Sequence, residues 1–252
     1  MRLTVGGYTK SGSRPMNQDW MYWDVGLGLF VVADGMGGHN AGEVASHLAV
    51  ETVTSFIEQS REPRDLTWPF GVDPAQSFDA NRLATAVRLA NRRVHGEGQT
   101  QPAFNGMGTT LVALLLSDDR AVLASVGDSR IYRWRDGGLE LLTRDDTWLA
   151  ALLAAGSPHD APMRTHPMRH VLTSVIGVNE DLSPTLREEA MKRGDCWLLC
   201  TDGVHGHAET TSFAEALDKA PGPERVAIGL VESALAAGAT DNATAVVVCV
   251  DE

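Results

Sequence analysis

Residues 110–142 read TLVALLLSDDRAVLASVGDSRIYRWRDGGLELL, and how this stretch folds decides the class of the whole chain. Its apolar runs, at 110–116, 121–126, 131–134 and 139–142, are each too short for an ordinary helix. Each run stops at a turn signal: Ser117-Asp118-Asp119-Arg120, Gly127-Asp128-Ser129 and Asp136-Gly137-Gly138. Short apolar runs separated by tight turns pair with their neighbours, so the spacing predicts an antiparallel meander.

Working outward, similar runs at 3–8, 28–33, 196–200 and 243–250 read as further strands. Helices interrupt this pattern. Ala45, Ala49, Val53, Phe56 and Ile57 keep one helical face, as do Leu83, Val87, Ala90 and Val94, with Asp79 as the expected N-cap. Asp146 is expected to cap a helix through Trp148, Leu149, Leu152 and Leu153 that Gly156 ends, and a last pair is expected at 212–220 and 223–237. Helices cluster between groups of strands instead of alternating with them, so an α+β fold is expected over a doubly wound sheet. The proline-bearing stretch 62–77 is a loop between helices and a weak boundary; without repeats, residues 1–252 are expected to form a single domain.

Among 252 residues, 33 are acidic and 21 basic, a net charge of -12. Such a field repels nucleic acid and anionic membrane surfaces, and neither is expected as a partner. An acidic protein can still take a phosphate where metal ions invert the local charge. No run approaches the roughly 18 apolar residues of a membrane span, and residues 1–7 lack the apolar stretch of a signal peptide, so a cytoplasmic protein is expected. Cys196, Cys200 and Cys249 form no CxxC pair and sit in or beside apolar runs, which reads as reduced, buried thiols.

The chemistry is carried by acids at strand ends. Asp34 closes Leu29-Phe30-Val31-Val32-Ala33, Asp128 follows Ser125-Val126-Gly127, Asp202 follows Trp197-Leu198-Leu199-Cys200-Thr201, and Asp241-Asn242 precedes the last run. Any one of them alone reads as a turn residue. Four that converge on one sheet edge would repel unless something positive sits among them, and oxygen-only ligands select magnesium or manganese over zinc. The glycines of Asp34-Gly35-Met36-Gly37-Gly38-His39 allow close approach of backbone and ligand, without the GxxxxGK[ST] of a P-loop. Upstream, Arg14 offers a planar fork for a phosphate.

Taken in order, Arg14…Asn17-Gln18-Asp19, Val32-Ala33-Asp34-Gly35-Met36-Gly37-Gly38, Gly106-Met107-Gly108-Thr109-Thr110, Val126-Gly127-Asp128-Ser129-Arg130, Thr165-His166-Pro167…Ile176-Gly177, Thr201-Asp202-Gly203 and Asp241-Asn242-Ala243-Thr244 resemble the metal-dependent type 2C protein phosphatases, particularly bacterial members. The resemblance runs nearly end to end. It implies a four-layer αββα sandwich of two antiparallel sheets and a phosphoserine/phosphothreonine protein phosphatase. It further implies that Asp34 bridges two Mn2+ or Mg2+ ions, that Gly35 serves the second through its carbonyl, and that Asp202 and Asp241 complete the first. Asp19 would orient the attacking water, Arg14 would hold the phosphate, Asp128 with Asp202 would form a weaker third metal site, and Asn242 would support the ligands. The implied partners are phosphoproteins and a Hanks-type serine/threonine kinase, with the phosphatase a monomer. Three departures stand out: Gln18 where many relatives carry glutamate, Met36 where eukaryotic members carry a histidine, and Val204-His205-Gly206-His207 after Asp202-Gly203. His39, His205 and His207 are read as structural or surface residues rather than ligands. In the polar segment 157–175, Arg164 and Arg169 are candidates to meet phosphopeptide. The alternatives are a catalytically silent signalling or binding domain on the same scaffold, or a phosphatase of small phosphate esters or of anti-sigma-antagonist proteins.

Overall fold

The structure, a computed structural model, describes residues 2–38, 41–61, 67–156, 166–207, 210–219 and 222–251. The strands are β1 (Leu3–Lys10), β2 (Asp19–Asp24), β3 (Leu29–Met36), β4 (Gly108–Thr109), β5 (Leu111–Ser117), β6 (Arg120–Val126), β7 (Arg130–Arg135), β8 (Gly138–Leu141), β9 (Thr185–Ala190), β10 (Cys196–Cys200) and β11 (Ala243–Val250). The helices are α1 (Ala41–Gln59), α2 (Phe78–Thr100), α3 (Trp148–Ala154), α4 (Asp202–His205), α5 (Thr210–Lys219) and α6 (Pro223–Ala236). One sheet has the order β1-β11-β10-β7-β8 and the other β2-β3-β5-β6-β9, with β4 added on β3. The pairings between named strands are antiparallel throughout.

Alternation along each strand builds the layers. In β3, Leu29, Val31 and Ala33 pack with Ala45, Val53, Leu83 and Val87 of α1 and α2, whereas Phe30 and Val32 face the other sheet. In β11, Val246, Val248 and Val250 fill the space between the sheets, whereas Ala243, Ala245 and Val247 pack with Phe213, Val226 and Leu230 of α5 and α6. Both faces of the central strands are therefore covered, which is why they read as unbroken apolar runs. Helices, sheet, sheet and helices make the four-layer αββα sandwich that the resemblance implies, within the α+β class read from the pattern.

The expected meander divides in two. β5 pairs with β6 in one sheet and β7 with β8 in the other, so the chain changes sheets at Gly127-Asp128-Ser129. Gly127 takes φ +94 there, and a Cβ at this position would run into Thr110, so a side chain is excluded on both counts. Two caps also move. Ser77, not Asp79, caps α2 by accepting from the Ala80 N–H, and Asp79 instead pairs with Arg82 at 2.6 Å. Thr147, not Asp146, caps α3, and Asp146 accepts from the Gly127 N–H at 3.1 Å.

The reading of three reduced thiols is corrected: Cys196 and Cys249 are joined as a disulfide, and Cys200 alone is free and buried. The two cysteines are directly opposed in the β10–β11 register, a closeness that sheet pairing creates and linear spacing conceals. No helix among the described residues is long and apolar enough to cross a membrane.

Candidate metal centre

The two sheets meet at one end in a cluster of acids. Antiparallel pairing of β2 with β3 sets Asp19 directly opposite Asp34. In the other sheet, the end of β10 leads through Thr201 to Asp202, and the start of β11 follows Asp241 and Asn242. The two ends are tied where the Thr201 N–H donates to the Thr244 carbonyl at 3.1 Å and the Thr244 N–H to the Thr201 hydroxyl at 3.0 Å. Asp19 then fastens one sheet to the other: its Oδ2 accepts from Thr201 at 3.0 Å and from Thr244 at 2.6 Å. The sheet-changing segment brings Asp128 to the same place.

Backbone contacts hold this arrangement in register. The Asp34 N–H donates to the Thr110 hydroxyl at 3.1 Å, and its carbonyl accepts from the Thr110 N–H and the Thr109 hydroxyl, each at 2.9 Å. Asn242 organises the loop that carries Arg14: Oδ1 accepts from the Gln18 N–H at 2.8 Å, while Nδ2 donates to the Ser11 and Met16 carbonyls at 3.0 and 2.9 Å. The Gln18 carbonyl accepts in turn from the Gly35 N–H and from Ser46. At Gly35 a Cβ would run into the Gly42 carbonyl, and at Gly203 into that of Asn242, so both positions require glycine for close backbone packing.

Burial is the largest influence on the acids. It raises Asp19 and Asp128 to about 7, and holds Asp34 well above the usual carboxylate range. Like charge adds to it: Asp202 and Asp241 act on Asp19, Asp202 acts on Asp128, and all four neighbours act on Asp34. Asp202 is raised by burial and by Asp241. His205 is lowered to about 4, again chiefly by burial, so its neutral ring donates from Nε2 to the Asp128 carbonyl at 2.9 Å. That bond gives His205 a structural duty; His207 is exposed, and His39 lies outside the described residues.

Among the described residues, no three acids or imidazoles stand at the spacing of a closed coordination sphere. The acids nevertheless fit hard divalent cations. Asp19 Oδ1 and Asp202 Oδ1 are two of only three buried side-chain N or O atoms without a hydrogen-bond partner among the described residues. A buried carboxylate oxygen that accepts nothing, inside a cluster of like charges, is a costly arrangement that a cation relieves. The donor set is all oxygen, which matches magnesium or manganese.

Of the predicted residues, Asp19, Asp34, Gly35, Asp128, Asp202, Asp241, Asn242 and Gln18 come together. Arg14 reaches the same edge, where its exposed guanidinium pairs with Asp241 at 2.8 Å. Arg164 lies outside the described residues. Arg169 donates weakly to the His166 carbonyl at 3.4 Å, and it is the next residue, His170, whose charge acts on Asp202. The sequence reading quoted Thr201 and Thr244 within motifs but gave them no role. Each is a hydroxyl within a few positions of a flagged aspartate, Thr201 just past the end of β10 and Thr244 in β11, and both donate to Asp19.

Comparison with known proteins places this geometry. A family model described as Protein phosphatase 2C matches residues 7–227. The chain is 36% identical over 234 residues to "Serine/threonine protein phosphatase PstP" of Mycobacterium tuberculosis, covering 93% of this chain and 42% of that protein. The chain thus spans less than half the length of this relative. It is 30% identical over 247 residues to "Protein phosphatase PhpP" of Streptococcus pneumoniae, covering 95% of this chain and 94% of that one. A solved structure described as the catalytic domain of serine threonine protein phosphatase PstP in complex with 2 manganese ions superposes with a TM-score of 0.81 at 32% identity, covering 100% of both chains.

Proposed function

The chain belongs to the protein phosphatase 2C family, and from that premise we propose that it is a metal-dependent phosphoserine/phosphothreonine protein phosphatase. The observation that carries the reading is the pair of orphaned oxygens, Asp19 Oδ1 and Asp202 Oδ1, within converged aspartates drawn from both sheets. Asp34, Asp202 and Asp241, with the Gly35 carbonyl, would hold two manganese or magnesium ions; Asp128 with Asp202 would hold a weaker third. Bound there, the ions would supply Lewis acidity that makes water a nucleophile at neutral pH and offsets charge on the transferring phosphoryl group.

The chain's own residues do the positioning. Arg14 carries five N–H donors in a fixed fork and engages Asp241 through one nitrogen, which leaves donors for the equatorial oxygens of a phosphate monoester. Asp19 is fixed through Oδ2 by two hydroxyls, so Oδ1 has one orientation in which to accept from an attacking water. Asn242 keeps both residues in place by fixing the loop between them, with Gln18 as its backbone partner. Phosphoryl transfer needs little beyond such positioning and charge stabilisation, and no covalent enzyme intermediate is invoked. The one free thiol, Cys200, is buried and held up at about 12, far from a reactive thiolate.

The substrates on this reading are phosphoproteins made by a Hanks-type serine/threonine kinase, hydrolysed by a monomer in the cytoplasm. The test is phosphate release from a phosphothreonine peptide, with manganese and then with excess EDTA. Turnover that appears with the ion and vanishes with the chelator supports the proposal. No turnover, with manganese binding confirmed by calorimetry, refutes it and leaves a silent scaffold.

A further inference from the structure

Beside the aspartates lies a second concavity that the phosphate chemistry does not use. It measures about 500 Å³ and opens between the edge strands β1 and β2, bounded by Thr9, Met16, Asn17, Asp19, Trp20, Met21 and Glu43. Because Asp19 belongs to both, this cavity is continuous with the proposed reaction centre. Its floor is locked: Asn17 donates to the Thr9 hydroxyl at 2.8 Å, which meets the Thr244 hydroxyl at 2.6 Å, the same group that holds Asp19. Its walls are the two methionines and the Trp20 indole, which is 40% exposed in a protein that buries most of its large apolar side chains. Trp20 is steadied edge-on against His47, with ring centroids 4.6 Å apart. On the rim, Glu43 in the first turn of α1 has no cationic or hydrogen-bonding partner for its carboxylate among the described residues.

An exposed indole, two thioethers and a carboxylate unpaired among the described residues, all around one cavity, match a particular shape of guest: a long aliphatic stem with a positive end. The stem would lie on Met16 and Met21, and the cation would face the indole and Glu43. Resting on the phosphatase reading above, we infer that this cavity receives an arginine or lysine side chain of the phosphoprotein, within three residues of the phosphorylated one. A chain advances at most about 3.5 Å per residue, so a cavity that shares Asp19 with the centre admits only near neighbours of the phosphoresidue. The protein would thereby prefer phosphothreonines flanked by a basic residue.

The experiment compares phosphothreonine peptides that differ at one flanking position, scanned over three residues on each side with arginine, alanine, leucine or glutamate. Values of kcat/KM are measured with manganese for the wild type, Glu43→Gln, Glu43→Arg and Trp20→Ala. Hydrolysis of para-nitrophenyl phosphate, which has no flanking residue, serves as the control. Arginine should exceed alanine at one position by on the order of tenfold, mostly through KM, and the preference should shrink with added salt. Glu43→Gln should reduce the preference to about threefold or less and Glu43→Arg should turn it toward glutamate, with para-nitrophenyl phosphate turnover unchanged. Equal rates for arginine and alanine at every position overturn the inference, as does a preference that is undiminished in Glu43→Gln, or one for leucine. Wild-type protein that fails on para-nitrophenyl phosphate as well as on every peptide refutes the phosphatase reading itself.

Discussion

Replacing Asp128 by asparagine should make the protein more stable in EDTA, by an amount that grows as pH rises. Burial, with Asp202 and Asp145 as the next contributors, moves this carboxyl from an ordinary 3.8 to about 7. The folded protein therefore keeps a proton that the unfolded chain has released between these two values. In that window the folded state binds more protons, so stability falls as pH rises through it. At 1.36 kcal/mol for each pH unit, the full displacement corresponds to at most about 4 kcal/mol, reached by pH 8. At pH 5 only about 2 kcal/mol of that has been lost. The asparagine side chain keeps the shape of the aspartate and never ionises. Urea denaturation in EDTA at pH 5, 6, 7 and 8 should show the variant's advantage widening across the series, and manganese should restore wild-type stability at pH 8. Wild-type stability that is flat or rising from pH 5 to 8 in chelator, or a variant less stable than wild type at pH 8, would refute the electrostatic account of the cluster.

Other substitutions test the frame. Asn242→Ala removes three hydrogen bonds from a buried position, so a loss of about 3 kcal/mol in urea denaturation is expected, with kcat/KM falling further than stability alone explains because the Arg14 loop is released. Thr244→Val deletes the 2.6 Å bond to Asp19 and should weaken manganese affinity by roughly tenfold or more by calorimetry, with the fold intact by circular dichroism. Thiol titration of the denatured protein should find one reactive cysteine without reductant and three with it. Because the disulfide closes a sequence separation of 53, its reduction should lower the thermal midpoint by on the order of 10 °C, from about 4 kcal/mol of chain entropy.

The sequence disclosed most where a physical constraint acts on consecutive residues. Central strands buried on both faces, such as β3, β5, β10 and β11, must be apolar throughout, and the acid that ends such a run stands out. Edge strands escape that constraint. β9 reads Thr-Leu-Arg-Glu-Glu-Ala because its outer residues meet cations across the surface: Glu189 pairs with Arg133 at 2.8 Å, and Arg187 with Glu189 and Glu140. Nothing in that string alternates cleanly, so it resembles a loop. β2 was hidden in a similar way by its mixture of acids and aromatics. Relations between distant residues were beyond local reading altogether. Asp19 is 182 and 225 residues from the hydroxyls that hold it, Cys196 is 53 from its partner, and the change of sheets at Gly127 leaves the turn signal that a hairpin would.

The position of β11 has a consequence for how such a molecule is made. It is the last strand among the described residues, yet it lies between the first, β1, and β10. A nascent chain that has reached the end of β10 presents two strand edges separated by a gap, the kind of surface that invites pairing with other chains. Asp241, Asn242 and Thr244 arrive with the segment that fills the gap. On the proposed reading, phosphate hydrolysis therefore cannot precede the completed sandwich. A product ending before residue 241 would lack these residues, and on that reading hydrolysis would report that both sheets had closed.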